Sequence, residues 1–213
     1  MTARADVLAR IRAALGDGPR HSLPVRRDYN TVGEFAPGSP VLVDLFEERL
    51  VDYKAGVRRT TPDGVASAVA TVLSQRAGAQ PRIVVPIGLD ASWRTDADTI
   101  VDDGSLTAAE LDGSDGVLTA CAVAIAETGT IVLDAQADQG RRAISLVPDL
   151  HICVVRTDQI VADVPDALRL LDPTRPLTFI SGGSATSDIE LKRVEGVHGP
   201  RTLEVIIVDQ PRR

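Results

Sequence analysis

The stretch Val117-Leu118-Thr119-Ala120-Cys121-Ala122-Val123-Ala124-Ile125-Ala126-Glu127-Thr128-Gly129-Thr130-Ile131-Val132-Leu133 is almost wholly apolar until Glu127-Thr128-Gly129-Thr130 interrupts it. Its length rules out one ordinary strand. It predicts two central strands joined by a turn or bend. Upstream, Arg82–Pro86 reads as a short buried strand and Thr99–Asp102 as another. Downstream, strands are predicted at His151–Val155, Leu177–Ile180 and Leu203–Val208. Before and between them lie helical patterns at Val65–Gln75, Thr107–Leu111 and Pro165–Leu171, with a helical turn at Gly140–Leu146. Aliphatic strands separated by helices predict an α/β sandwich with a largely parallel sheet and antiparallel pairs around the 117–133 hairpin.

Leu42, Leu45, Phe46, Leu50, Tyr53 and Val57 follow a helical stripe that opens this domain near Pro40. Before it, Ala3–Leu15 reads as an amphipathic helix with Val7, Leu8, Ile11 and Leu15 on one face and Gly16 past its end. Residues 16–40 are rich in Gly, Pro, Asp and Arg without any period, the pattern of a linker. The expected organisation is a helical arm and linker over 1–39 and one α/β domain over 40–213.

At 213 residues there is material for one substantial core, and 3% aromatic content means that core is built from Val, Ile, Leu and Ala. No apolar run approaches the about 20 residues of a membrane span, and the first residues lack the apolar stretch of a signal peptide. The expected location is the cytoplasm. Net charge is −7, from 23 Lys plus Arg against 30 Asp plus Glu, so nucleic acid is not an expected partner. Arg4, Arg10, Arg12, Arg20, Arg26 and Arg27 nevertheless make the first 27 residues basic, which suits a partner-docking arm or a solvated terminus. Cys121 and Cys153 sit inside apolar runs, where buried, inert thiols are common. Two cysteines and His21, His151 and His198 cannot supply the four thiolates of a typical iron–sulfur cluster, and no C-x-x-C spacing suggests zinc. No metal or cofactor bound by this chain is expected.

Two segments carry candidate chemistry. In Ala126-Glu127-Thr128-Gly129-Thr130 a carboxylate breaks an apolar run, and a buried charge needs a partner or a use. Glu127 is the candidate catalytic group, as base or nucleophile, against the alternative that it only accepts amide hydrogen bonds in a turn that Gly129 permits. In Thr178-Phe179-Ile180-Ser181-Gly182-Gly183-Ser184-Ala185-Thr186-Ser187-Asp188-Ile189-Glu190 an apolar strand runs into two glycines, and Ser187 with Glu190 has capping-box spacing. Such a strand–loop–helix would aim main-chain amides at a phosphate or carboxylate. It is neither a Walker A loop nor a G-x-G-x-x-G motif. Candidate ligand-binding residues are therefore Thr128, Gly129, Thr130, Ser181, Gly182, Gly183, Ser184, Thr186, Ser187 and Asp188. His198, between glycines before the last strand, joins them as a residue able to reach a shared cleft. Arg141-Arg142 could bind an anion, although paired arginines at a helix start usually make surface contacts.

Ala124–Val132, Leu146-Val147-Pro148-Asp149-Leu150-His151, Ser181–Glu190 and Gly196-Val197-His198-Gly199-Pro200-Arg201, in this order and spacing, resemble the lactate-utilisation protein C family (LutC/YkgG, LUD domain). Phe46, Arg49 and Tyr53 resemble its N-terminal half. Gly183 stands where a proline is common in that family. The resemblance implies a three-layer α/β/α sandwich of the NagB/RpiA/CoA-transferase-like group, with ligand sites at strand C-terminal ends. It also implies a subunit that helps to oxidise L-lactate to pyruvate beside iron–sulfur partner subunits. The alternative is a stand-alone enzyme acting on an acyl-CoA, a sugar phosphate or another small ligand through Glu127.

Overall fold

In the computed structural model, which describes residues 3–16, 24, 26, 35–186, 194–195 and 199–209, the strands divide between two main sheets. Helix α1 (Ala3–Leu15) precedes α2 (Pro40–Asp52), β1 (Gly56–Thr60), α3 (Val65–Arg76), β2 (Arg82–Pro86) and β3 (Asp98–Asp102). Then come α4 (Ala108–Asp112), β4 (Gly116–Thr119), β5 (Val123–Ile125), β6 (Thr130–Leu133), β7 (Leu150–Arg156) and β8 (Ile160–Val161). The chain continues through α5 (Val164–Leu170), β9 (Thr178–Ile180), β10 (Ala185–Thr186), β11 (Val194–Glu195) and β12 (Thr202–Val208).

Six strands form a sheet in the order β1-β12-β7-β4-β2-β3, and every neighbouring pair in it is parallel. Helices must therefore cover both faces, and the residues alternate accordingly. Ile83, Val85, Leu118, Ile152, Val154, Ile206 and Val208 pack on one face against Val65, Val69, Val72 and Leu73 of α3. On the other face, Cys153, Val155, Leu203, Val205 and Ile207 meet Leu42, Val43, Phe46 and Leu50 of α2. Ala124, Ala126, Ile131, Leu133 and Ile160 join that cluster from a second, four-stranded sheet ordered β8-β5-β6-β9. Val84 and Val117 pack against Leu111 of α4 and Ile144 in a smaller cluster. The α/β sandwich expected from the alternation is the observed architecture.

The apolar stretch 117–133 holds three strands rather than two. β4 belongs to the parallel sheet, and only β5 and β6 form the antiparallel hairpin, in the second sheet. The crossing is made at Ala120-Cys121-Ala122, where Ala120 N donates to Asp138 O and Ala122 N to Val132 O. Nothing in the composition marks that change of sheet, because both sheets bury aliphatic side chains there. The helical stripe through Val57 also stops early. Lys54 takes a left-handed φ of 63° after Asp52, and Val57 lies in the edge strand β1, pairing with Val205. Among the described residues no helix is long and apolar enough to cross a membrane.

Helix α1 forms over the expected residues, yet none of them is buried, and Val7, Leu8, Ile11 and Leu15 remain exposed. Most of the linker expected over 16–40 lies outside the described residues.

Candidate functional site

The β5–β6 turn is built on Gly129. Its φ is +57°, and its amide donates to Ala126 O at 3.3 Å. A Cβ placed there would lie 2.8 Å from Arg49 Cβ, so the end of α2 presses directly on the turn. The turn lifts Glu127 out of the apolar run. Its amide donates to Ala162 O, while its side chain is exposed and makes no hydrogen bond or ion pair among the described residues. The expectation of a buried carboxylate is thus corrected: the apolar run ends at Ala126, and the turn carries the charge into solvent.

Pairing of β6 with β9 sets Ile131 opposite Ile180 and brings the two motifs together. Thr128 Oγ1 lies 2.7 Å from Thr130 Oγ1, and Thr130 Oγ1 lies 2.7 Å from Ser181 Oγ. Three hydroxyls from the two motifs form one chain. Beyond it, Gly182 takes a φ of +101°, and Tyr53 occupies the space a side chain would need. Gly183 abuts the carbonyl of Arg201, and Ser184 N donates to Pro200 O at 2.8 Å. Arg49 and Tyr53, on or just beyond the last turn of α2, therefore hold a glycine of each motif.

Ser181, Gly182, Gly183 and Ser184 line a cleft of about 270 Å³, together with Arg142, Ser145, Leu146, His151 and Leu203. It opens over the starts of β7 and β12, to which His151 and Leu203 belong, and not at the strand C-terminal ends that the resemblance implied. At those ends the loop after β6 folds over β2 and β4: Gly88 N donates to Ala137 O, and Ala120 N to Asp138 O. Thr128, Gly129 and Thr130 stand behind the cleft, joined to it through Ser181. Ser187, Asp188, Glu190 and His198 lie outside the described residues, as does the side chain of Thr186. The backbone around this gap pairs as a short hairpin, Ala185 with Glu195 and Thr186 with Val194. Gly199 and Pro200, next to His198 in sequence, line the cleft.

Two cleft residues went unread or half-read in the sequence. His151 is only 1% exposed, and its Nε2 lies 2.8 Å from Thr119 Oγ1. Burial without a countercharge lowers its pKa from 6.5 to about 4. A polar residue inside an otherwise apolar strand was the available signal. The arginine pair divides. Arg141 makes a bidentate pair with Asp102, 2.9 Å for each bond, which raises its pKa, whereas Arg142 lines the cleft. The Arg142 guanidinium has no ion pair among the described residues.

The buried imidazole leads to an acid-stability prediction. A folded pKa below the unfolded one means that, from pH 6.5 down to about 4, only the unfolded chain gains this proton. The stability contribution is intact above pH 6.5 and falls by roughly 3 kcal/mol across that window. Urea titrations at pH 7 and pH 4.5 should show a smaller loss for His151→Gln than for the parent; equal losses would contradict a neutral His151.

A larger groove of about 1130 Å³ runs between α3 and residues 94–98, past Ala66, Ala70, Ala77 and Ala97. Cys121 and Cys153 are both buried, and their mutual contact together with burial pushes the Cys121 thiol well up, away from the reactive thiolate. Among the described residues no group of three His, Cys, Asp or Glu side chains could hold a metal ion.

A six-stranded parallel sheet between helices, with a second sheet presenting a Gly-Ser loop to a small cleft, defines an α/β protein of the sandwich class. The LUD domain model matches residues 93–208, and the chain belongs to that family. It is 54% identical over 172 residues to a lactate utilization protein C from Deinococcus radiodurans, covering 78% of this chain and 79% of the relative. A lactate utilization protein C from Halalkalibacterium halodurans is 26% identical over 228 residues, covering 97% and 98%. The crystal structure of a DUF162 family protein from Deinococcus radiodurans superposes with a TM-score of 0.69 at 46% identity, over 79% of this chain and 96% of that one.

Proposed function

We propose that this protein is a cytoplasmic component of L-lactate utilisation, and that its Ser181–Ser184 cleft binds a small carboxylate while iron–sulfur partner subunits carry the electrons. Conversion of lactate to pyruvate releases two electrons and two protons. The electrons need an acceptor, and two buried cysteines cannot build a cluster here. The names of the relatives support the pathway. The observation that carries the binding role is the cleft. At about 270 Å³ it lies below the roughly 300–1,000 Å³ of drug-sized ligand sites, and it combines an arginine, serine hydroxyls and glycine backbone. Ligands of a few carbons fit that size and that charge.

Purification from the native host should recover cysteine-rich iron–sulfur subunits with this chain, and its deletion should abolish growth on L-lactate. Normal growth of the deletion strain would overturn the assignment. The stand-alone reading through Glu127 gains no geometric support, since that carboxylate is exposed to solvent, does not line the cleft and has no hydrogen-bonded base or acid among the described residues.

A further inference from the structure

His151 is a buried ionisable side chain in the cleft wall, and no role described so far uses it. Thr119 Oγ1 holds its Nε2 at 2.8 Å, and no other hydrogen bond reaches the ring among the described residues. Nδ1 is thus the nitrogen left for a ligand. Thr119 is itself placed to donate to Cys153 Sγ, 3.9 Å away, so the lining residue His151 is backed by a buried Thr119–Cys153 pair. The charged groups on the surrounding elements are few. Arg142 comes from the turn at residues 142–145, and Arg201 pairs with Asp149 at 3.0 Å beside the starts of β12 and β7. β4 and β9 present none, and Cys153 is the other titratable group on this face of β7. Burial, with no carboxylate opposing it, is what lowers the imidazole's pKa.

We infer that His151 is the interior recognition group for a small 2-hydroxy or 2-oxo acid, and that the ring takes up a proton from solvent as the anion enters between it and Arg142. This deepens the small-carboxylate reading of the cleft and rests on it. Without a bound anion the ring is neutral near pH 7, because burial opposes its charge. An entering carboxylate supplies the missing countercharge. The products are an imidazolium and a bound carboxylate, so charge and protons balance without a redox step. Whichever tautomer precedes binding, the charged ring donates from Nδ1 to the ligand and from Nε2 to Thr119. Affinity must then fall as pH rises through the window between the free-cleft pKa and the raised pKa of the complex. Above that window it becomes flat.

Calorimetry of the full chain with L-lactate, from pH 5.5 to 8 in two buffers of different ionisation enthalpy, tests this. The expected result is net proton uptake approaching one per lactate at the acid end and at least a tenfold loss of affinity across the range. His151→Gln should remove both the uptake and the pH dependence, and the wild-type proton count needs no variant. Lactate binding that is independent of pH and without proton uptake would overturn the role of His151 and leave the proposed binding function standing. Complete absence of lactate binding to the wild type would overturn both.

Discussion

Gly129→Ala is expected to lower the unfolding free energy by roughly 2–4 kcal/mol, measured by urea denaturation. Two costs act together. The φ of +57° disfavours any side chain, and a Cβ would lie 2.8 Å from Arg49 Cβ and 3.0 Å from the Arg49 carbonyl carbon. Gly104 separates them, since its φ is +100° but nothing lies within 4 Å of the point where a Cβ would stand. Gly104→Ala should therefore show a backbone cost alone, and a larger one than the backbone part at Gly129, because φ +100° lies outside the left-handed region that L residues reach. If Gly129→Ala costs no more than the roughly 1–2 kcal/mol of a left-handed backbone, the contact between α2 and the Glu127–Thr130 turn contributes nothing. The effect should reach the cleft as well, because Thr128 and Thr130 hold Ser181 through the hydroxyl chain.

The second large effect concerns Glu204, which is 1% exposed within the parallel sheet. Arg76 Nε and Nη2 both lie 2.7 Å from its Oε1, and Arg58 Nη2 lies 3.9 Å from its Oε2. Arg76 is 49% exposed, so the two partners are unequal. Removing the arginine leaves a carboxylate in the interior, with Oε2 lacking any hydrogen bond among the described residues. Neutralising the carboxylate leaves an arginine that water can solvate. Arg76→Met should thus cost about 3–5 kcal/mol, and Glu204→Gln distinctly less. Thermal and urea unfolding of the two variants decide it; the reverse order would mean that Arg76 is not the partner that offsets the burial of Glu204.

How far the structure was legible in the sequence depended on whether an element declares itself locally. Arg82–Pro86 is an aliphatic run ended by proline, and Val65–Arg76 follows Pro62-Asp63-Gly64, so both read correctly from neighbours alone. β1 carries Arg58 and Arg59 on a half-buried edge, where no apolar run marks it. Glu127 misled because a carboxylate inside an apolar run looks buried until the turn is known. The cleft was half legible. Ser181–Ser184 announce themselves by their glycines, but His151 and Arg142 join them only through the packing of β7 and the 142–145 turn against the β9 loop. The joining of the two motifs rests on the β6–β9 pairing, which spans about fifty residues of chain.

The strand order has a consequence for biosynthesis. β12 (Thr202–Val208), the last strand of the sheet in chain order, lies between β1, the first, and β7. During translation β1 has no parallel neighbour until β12 leaves the ribosome, which at about 5–20 residues per second is many seconds after β1 is made. The α2–β1 unit must wait through that interval with Phe46 and Leu50 lacking part of the wall they bury against. The finished protein is thus closed from its C-terminal side, and a nascent chain cut short before residue 202 lacks the strand that joins its beginning to the rest.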